Sequence, residues 1–213
     1  MNSNLNLLFI GNSFVARNDL PGLLTELAAS ALQPRTIVTD TVLVNGASLR
    51  QHWNAGKALE KIRGGKWDYV VLQEQSTLPI KNATRFHENV RLFAPEIVAS
   101  DALVLLYLTW ARLHAPETQA ALTGTTLAIA EEFNARVAPA GVVWEKLLQA
   151  HSDLPLHDKD GSHPSPLGTY LAACVFYATL FQESPVGLAV PARLKLTPEN
   201  AAIVQKSAEQ EIK

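Results

Sequence analysis

The sequence predicts an α/β fold: a central parallel five-stranded sheet covered by helices on both faces, a three-layer sandwich. Three observations carry this. Five apolar segments of strand length recur, at residues 5–10, 37–44, 69–72, 103–108 and 140–144. Several are continuous runs of Val, Ile and Leu rather than alternating ones, the pattern of strands buried on both faces. Between them, residues 20–32, 49–62, 84–99 and 117–137 place apolar side chains three and four apart on a polar background, as crossover helices do.

Each element ends in recognisable punctuation. The first strand runs into Gly11-Asn12-Ser13, the second into Asn45-Gly46-Ala47-Ser48, the third into Gln73-Glu74-Gln75-Ser76 and the fourth into Thr109-Trp110-Ala111-Arg112. After the fifth, a short helical stretch leads to the polar loop 157–163. Ser165 followed by Pro166 then reads as an N-cap with proline at the first helical position, predicting a helix over 166–181. A last helix, 198–212, opens behind Thr197, with Asn200 in place of the Glu of a full capping box.

Composition narrows the function. At 213 residues the chain is read as a single domain, 1–213, because domains average about 150 residues and no linker or repeat divides it. Eighteen Lys and Arg against 20 Asp and Glu, interspersed, form no basic face, so no nucleic-acid partner is expected. The longest apolar runs, such as 102–108, fall far short of the roughly 20 residues of a membrane span, and no leader is read. A soluble, cytoplasmic protein is therefore expected. The lone Cys174 excludes a disulfide framework and a cysteine zinc site, and its apolar neighbours predict a buried thiol.

In a parallel α/β sheet the ligand site lies beyond the carboxyl ends of the strands, and those positions here are small and polar. Ser13, at a strand-to-turn step, is a candidate nucleophile whose own N–H can meet a developing oxyanion; a cap or turn role is the competing reading. Asp160 and His163 supply the base and its partner, since three residues in a tight loop can return a carboxylate to the imidazole Nδ1. His157 and Asp158 could be confused with that pair, and spacing favours Asp160. Gly46 offers a backbone N–H with close approach, and Gln73 or Gln75 a side-chain N–H. A metal held by His157, Asp158, Asp160 and His163 is the other chemistry these residues allow, but the same types make a triad, so neither metal nor cofactor is expected. His52, His87, His114 and His151 read as helix-surface or loop histidines.

These blocks occur in the order of the SGNH (GDSL-type) hydrolase superfamily, which the sequence resembles from Gly11 to Gly168. Gly11-Asn12-Ser13-Phe14 is similar to its first block, with Asn12 where Asp is usual; Gly46 to its second; Asp160-Gly161-Ser162-His163-Pro164 to its last. The third block departs: Gln73-Glu74-Gln75 stands where Gly-x-Asn is usual, aligning Gln75 with the Asn and keeping Gln73 as the alternative. The resemblance implies a flavodoxin-like fold and a Ser-His-Asp esterase with Ser13, Gly46 and Gln75 around the oxyanion. Asn12, Phe14 and Trp110 are candidate substrate contacts, with Arg112, His114 and Trp53 as further residues that could line the pocket. The short loops and the Gln-containing third block, which resembles that of some carbohydrate esterases, point to a small acyl group, acetyl, on a sugar-like alcohol. The alternative is a non-catalytic ligand-binding module of the same fold with a degenerate oxyanion hole.

Overall fold

A computed structural model describes residues 4–210. Five parallel strands, β1 (Leu5–Gly11), β2 (Ile37–Leu43), β3 (Tyr69–Leu72), β4 (Leu103–Tyr107) and β5 (Arg136–Ala138), form one sheet in the order β2-β1-β3-β4-β5. Alternation within each strand divides the core. Leu7, Phe9, Val71, Leu105 and Tyr107 face one layer, containing α2 (Leu20–Ala29), α8 (Ala140–Ala150), α9 (Pro166–Phe181) and α10 (Pro198–Glu209). Leu8, Ile10, Val70, Leu72 and Leu106 face the other, with α3 (Leu49–Ala55), α4 (Lys57–Gly64) and α6 (Ala83–Ala99). Both faces being covered explains why the central strands are apolar throughout.

Helix α9 is buried almost all round, including Cys174 at 0% exposure, because α2, α8 and α10 pack about it. Its predicted start holds: Ser165 Oγ accepts from Gly168 N at 3.1 Å. Thr197 Oγ1 likewise caps α10 by accepting from Asn200 N at 3.2 Å. The last residues of the predicted 198–212 helix, 211 and 212, lie outside the described segment. Among the described residues no helix is long and apolar enough to cross a membrane.

The fifth strand lies earlier than expected. Residues 140–144 begin helix α8, and the strand is the three-residue Arg136–Ala138, paired through Tyr107 and Ala138. Ala140, Val143, Trp144 and Leu147 share one buried helical face, and a five-residue window of that face reads as an apolar run. The preceding helix, α7 (Gln119–Glu132), correspondingly stops before the predicted 137, where Asn134 turns the chain at φ 47°. The predicted helix 49–62 is two helices, α3 and α4, broken at Gly56 (φ 76°). Two short helices, α1 (Ser13–Ala16) and α5 (Leu78–Lys81), occupy the turns after β1 and β3.

The order in which successive strands are added reverses between β1 and β3, the chain building outward to β2 on one side and to β3, β4 and β5 on the other, and such a switch point is where parallel sheets open a crevice. The loops that follow these two strands flank it.

Candidate active site

Ser13 begins α1, where the first N–H groups have no intrahelical acceptor and point out of the helix. The turn is held by its cap. Asn12 Oδ1 accepts from Phe14 N at 3.1 Å, and Asn12 Nδ2 donates to Ala47 O at 2.9 Å, fastening the β1 turn to the β2 loop. The Ser13 hydroxyl meets His163 Nε2 at 2.8 Å, and His163 Nδ1 meets Asp160 Oδ2 at 2.5 Å.

The loop carrying this pair is built locally. Asp160 Oδ1 accepts from Ser162 N and His163 N, both at 2.9 Å, so one carboxylate oxygen shapes the loop while the other faces the ring. Asp158 N donates to His163 O and Gly161 N to Asp158 O, closing the turn. Donation from the imidazole, and then from the two amides, holds the Asp160 carboxyl well below the ordinary carboxylate range. From beneath, Trp110 Nε1 donates to Ser162 O at 3.0 Å, and the Phe14 ring packs 5.3 Å from the imidazole.

A cavity of about 620 Å³ opens over Ser13, lined by Asn12, Phe14, Gly46, Gln75, Arg17, Arg112 and His163 among others. Gly46 sits at φ 70°, a conformation that costs a side chain strain even though a Cβ there would meet nothing. Gln75 Oε1 accepts from Thr77 N and Thr77 Oγ1, both at 3.0 Å, which fixes the amide plane and leaves Nε2 as its donor end. Gln73 is used differently. Fully buried, it accepts from Asn12 N through Oε1 at 2.8 Å and donates through Nε2 to the Glu74 carbonyl.

Of the other sequence candidates, Phe14 and Asn12 border the cavity, and Trp110 does not. Trp110 is 2% exposed and stacks on Trp144 at 3.8 Å, acting as a floor under the His163 loop rather than a surface for ligand. Trp53 packs edge-on against Phe93 in the core of the opposite layer. The four residues weighed as a metal set go elsewhere: His157 Nε2 meets Ala111 O at 3.0 Å, Asp158 pairs with Arg17 at 2.9 Å, and Asp160 faces His163.

Two groups next to the site carry more than the sequence suggested. Glu74, 6% exposed, accepts from Leu49 N (3.0 Å), Gln75 N (2.7 Å) and Asn89 Nδ2 (2.8 Å), and Arg50 Nε in turn donates to Asn89 Oδ1 at 3.0 Å. Burial pushes its pKa up against the pull of these donors. Its signal was a charge between two amides directly behind an all-apolar strand. His52, expected on a helix surface, is 2% exposed, and its Nε2 lies 2.8 Å from Gly11 O. It shares the inward face of α3 with Leu49, three residues earlier.

No family model matches the chain, and no curated protein matches it in sequence. Solved structures do match. A DUF4886 family protein from Bacteroides uniformis superposes with a TM-score of 0.79 at 16% identity, over 99% of this chain and 95% of the other. A candidate SGNH hydrolase from Slackia heliotrinireducens gives 0.71 at 24% identity, over 84% of this chain and all of the other. Axe2, an acetylxylan esterase from Geobacillus stearothermophilus, gives 0.68 at 16% identity, over 86% and 98%. At such identities the likeness is one of architecture, and in architecture the chain has the fold of the SGNH-type hydrolases.

Proposed function

We propose that this protein is a serine esterase that hydrolyses a small acyl ester, acetyl on a sugar-like alcohol, through an acyl-enzyme. The observation that carries the reading is the continuous hydrogen-bonded chain Ser13–His163–Asp160 at the floor of an open cavity. His163 takes the Ser13 proton as Oγ bonds to the ester carbon, and Asp160 fixes the ring tautomer and stabilises the imidazolium. The Ser13 and Gly46 N–H groups and Gln75 Nε2 receive the oxyanion. Collapse of the tetrahedral intermediate breaks the bond to the alcohol, which leaves with the proton from His163. Water, deprotonated by His163, then releases the acid and restores Ser13.

The fold shared with an acetylxylan esterase and the polar side chains in the mixed lining of the cavity, Asn12, Asn45, Gln75 and Ser162 among them, support a small acyl group on a hydroxyl-rich alcohol. A fluorophosphonate probe should label Ser13 covalently, and Ser13→Ala and His163→Ala should each abolish hydrolysis of p-nitrophenyl acetate. Folded protein that resists the probe and turns over no ester across a series of acyl lengths would instead be a ligand-binding module.

A further inference from the structure

The arginines of this chain are accounted for, with one exception. Among the described residues every other arginine has an ion pair or a hydrogen bond from its guanidinium: Arg17 with Asp158, Arg50 with Asn89 and Glu88, Arg136 with Thr179 O, and the rest with glutamates. Arg112 has neither, and its Nε is buried without a partner. It lines the cavity over Ser13, beside Ser162 and His163. Among the described residues no Asp or Glu lines that cavity, and the second cation there, Arg17, is already paired. A half-buried guanidinium gives up hydration, and nothing among the described residues returns it.

Arg112 also has a definite side. The loop that carries it is fastened to the His163 loop, Leu113 N donating to Gly161 O at 2.9 Å and Trp110 Nε1 to Ser162 O at 3.0 Å. The oxyanion donors come from the loops after β1, β2 and β3, whereas Arg112 follows β4 on the side of His163. In the esterase reading, on which this inference rests, His163 hands its proton to the departing alcohol, so the alcohol lies on that side.

We propose that Arg112 binds an anionic group, carboxylate or phosphate, on the alcohol portion of the substrate, making the substrate class a short-acyl ester of an anionic sugar-like alcohol. The planar guanidinium fork fits either oxyanion with two parallel hydrogen bonds.

The test compares three mono-O-acetylated substrates that differ in one group: methyl galactoside, methyl galacturonoside and methyl galactoside phosphate. The wild-type protein should prefer one anionic ester over the neutral one by at least about tenfold in kcat/KM, the scale of a charge-assisted pair. That ester identifies the group as carboxylate or phosphate. In Arg112→Gln the ratio should fall to near one, losses common to all substrates cancelling, and Arg112→Lys should keep part of it. A neutral ester hydrolysed as well as both anionic ones, or a preference that persists in Arg112→Gln, overturns the proposal. If none of the three esters nor p-nitrophenyl acetate is turned over, the esterase reading fails, and calorimetry with the deacetylated sugars decides on Arg112 alone. Tighter binding of an anionic sugar than of methyl galactoside, lost in Arg112→Gln, sustains the anion site; equal binding or none overturns it.

Discussion

A single oxygen of Glu74 accepts from Leu49 N at 3.0 Å and from Gln75 N at 2.7 Å, tying the loop after β3 to the head of the helix that follows the Gly46 loop. Two of the proposed oxyanion donors thereby share one buried anchor. Glu74→Gln keeps an oxygen for both amides but turns an N–H₂ toward Asn89 Nδ2, and rotating Asn89 to accept it forfeits the bond from Arg50. The variant should lose about 1–2 kcal/mol of stability, the cost of one hydrogen bond made unsatisfiable in the interior. Its kcat should fall by about tenfold with little change in KM, because the donors act on the transition state. Denaturant melts together with steady-state kinetics check this; a lower Tm with unchanged kcat would leave Glu74 a purely structural anchor.

Asp160→Asn separates shaping the loop from orienting the ring. The asparagine Oδ1 can still accept from Ser162 N and His163 N, so the fold should persist. Its amide then donates toward Nδ1, leaving the proton on Nε2, where it can no longer accept from Ser13. A fall of about 10³–10⁴ in kcat is expected, as when the carboxylate of such a triad is amidated. A loss under tenfold would mean that Asp160 is not the group that sets the tautomer.

Much of this was legible in the sequence because it is local. Strands β1 to β4 are apolar segments bounded by polar punctuation and helix α9 opens on a serine cap followed by proline, and Asp160 with His163 sits in one loop, 158–163, whose shaping hydrogen bonds close within it. Strand β5 was not legible: three residues at a sheet edge carry no period, and the helix face behind it imitates a strand. The choice between Gln73 and Gln75 was hidden for another reason. Alternation puts both on one face, but β3 ends at Leu72, and past that point the side-chain directions are set by Asn12 and Thr77, partners distant or unpredictable from spacing. Arg112 stood among the residues read as possible pocket lining, but its lack of a partner is a property of three dimensions only.

Those two glutamines should therefore respond differently to truncation. Gln75→Ala removes a donor at the cavity surface, and a fall of about 10²–10³ in kcat with near-normal stability is expected for an oxyanion donor. Gln73→Ala strips the Asn12 amide of its acceptor inside the core, costing about 1–3 kcal/mol of stability. Its kcat should suffer only as far as the Asn12-Ser13 turn relaxes. Measuring Tm and kcat for both variants resolves the assignment: a Gln73→Ala protein that is stable but inactive, beside an active Gln75→Ala protein, would reverse it.

His52 gives the fold a pH dependence that can be isolated. Buried, with its Nε2–H donated to Gly11 O at the end of β1, it has a pKa lowered from 6.5 by desolvation, against a smaller opposing effect of that hydrogen bond. Below pH 6.5 the unfolded chain takes up a proton at this position that the native state refuses. The stability it contributes is full above pH 6.5 and is lost as pH falls through 6.5 toward the lowered native value. His52→Gln keeps an N–H donor of similar reach and does not titrate. Wild-type protein should therefore lose more stability than His52→Gln between pH 7.5 and pH 5, with the difference confined to the region below about 6.5. His157, whose pKa burial also lowers, contributes to both proteins and cancels in the comparison. Parallel stability profiles for the two proteins would show that His52 is not the group responsible.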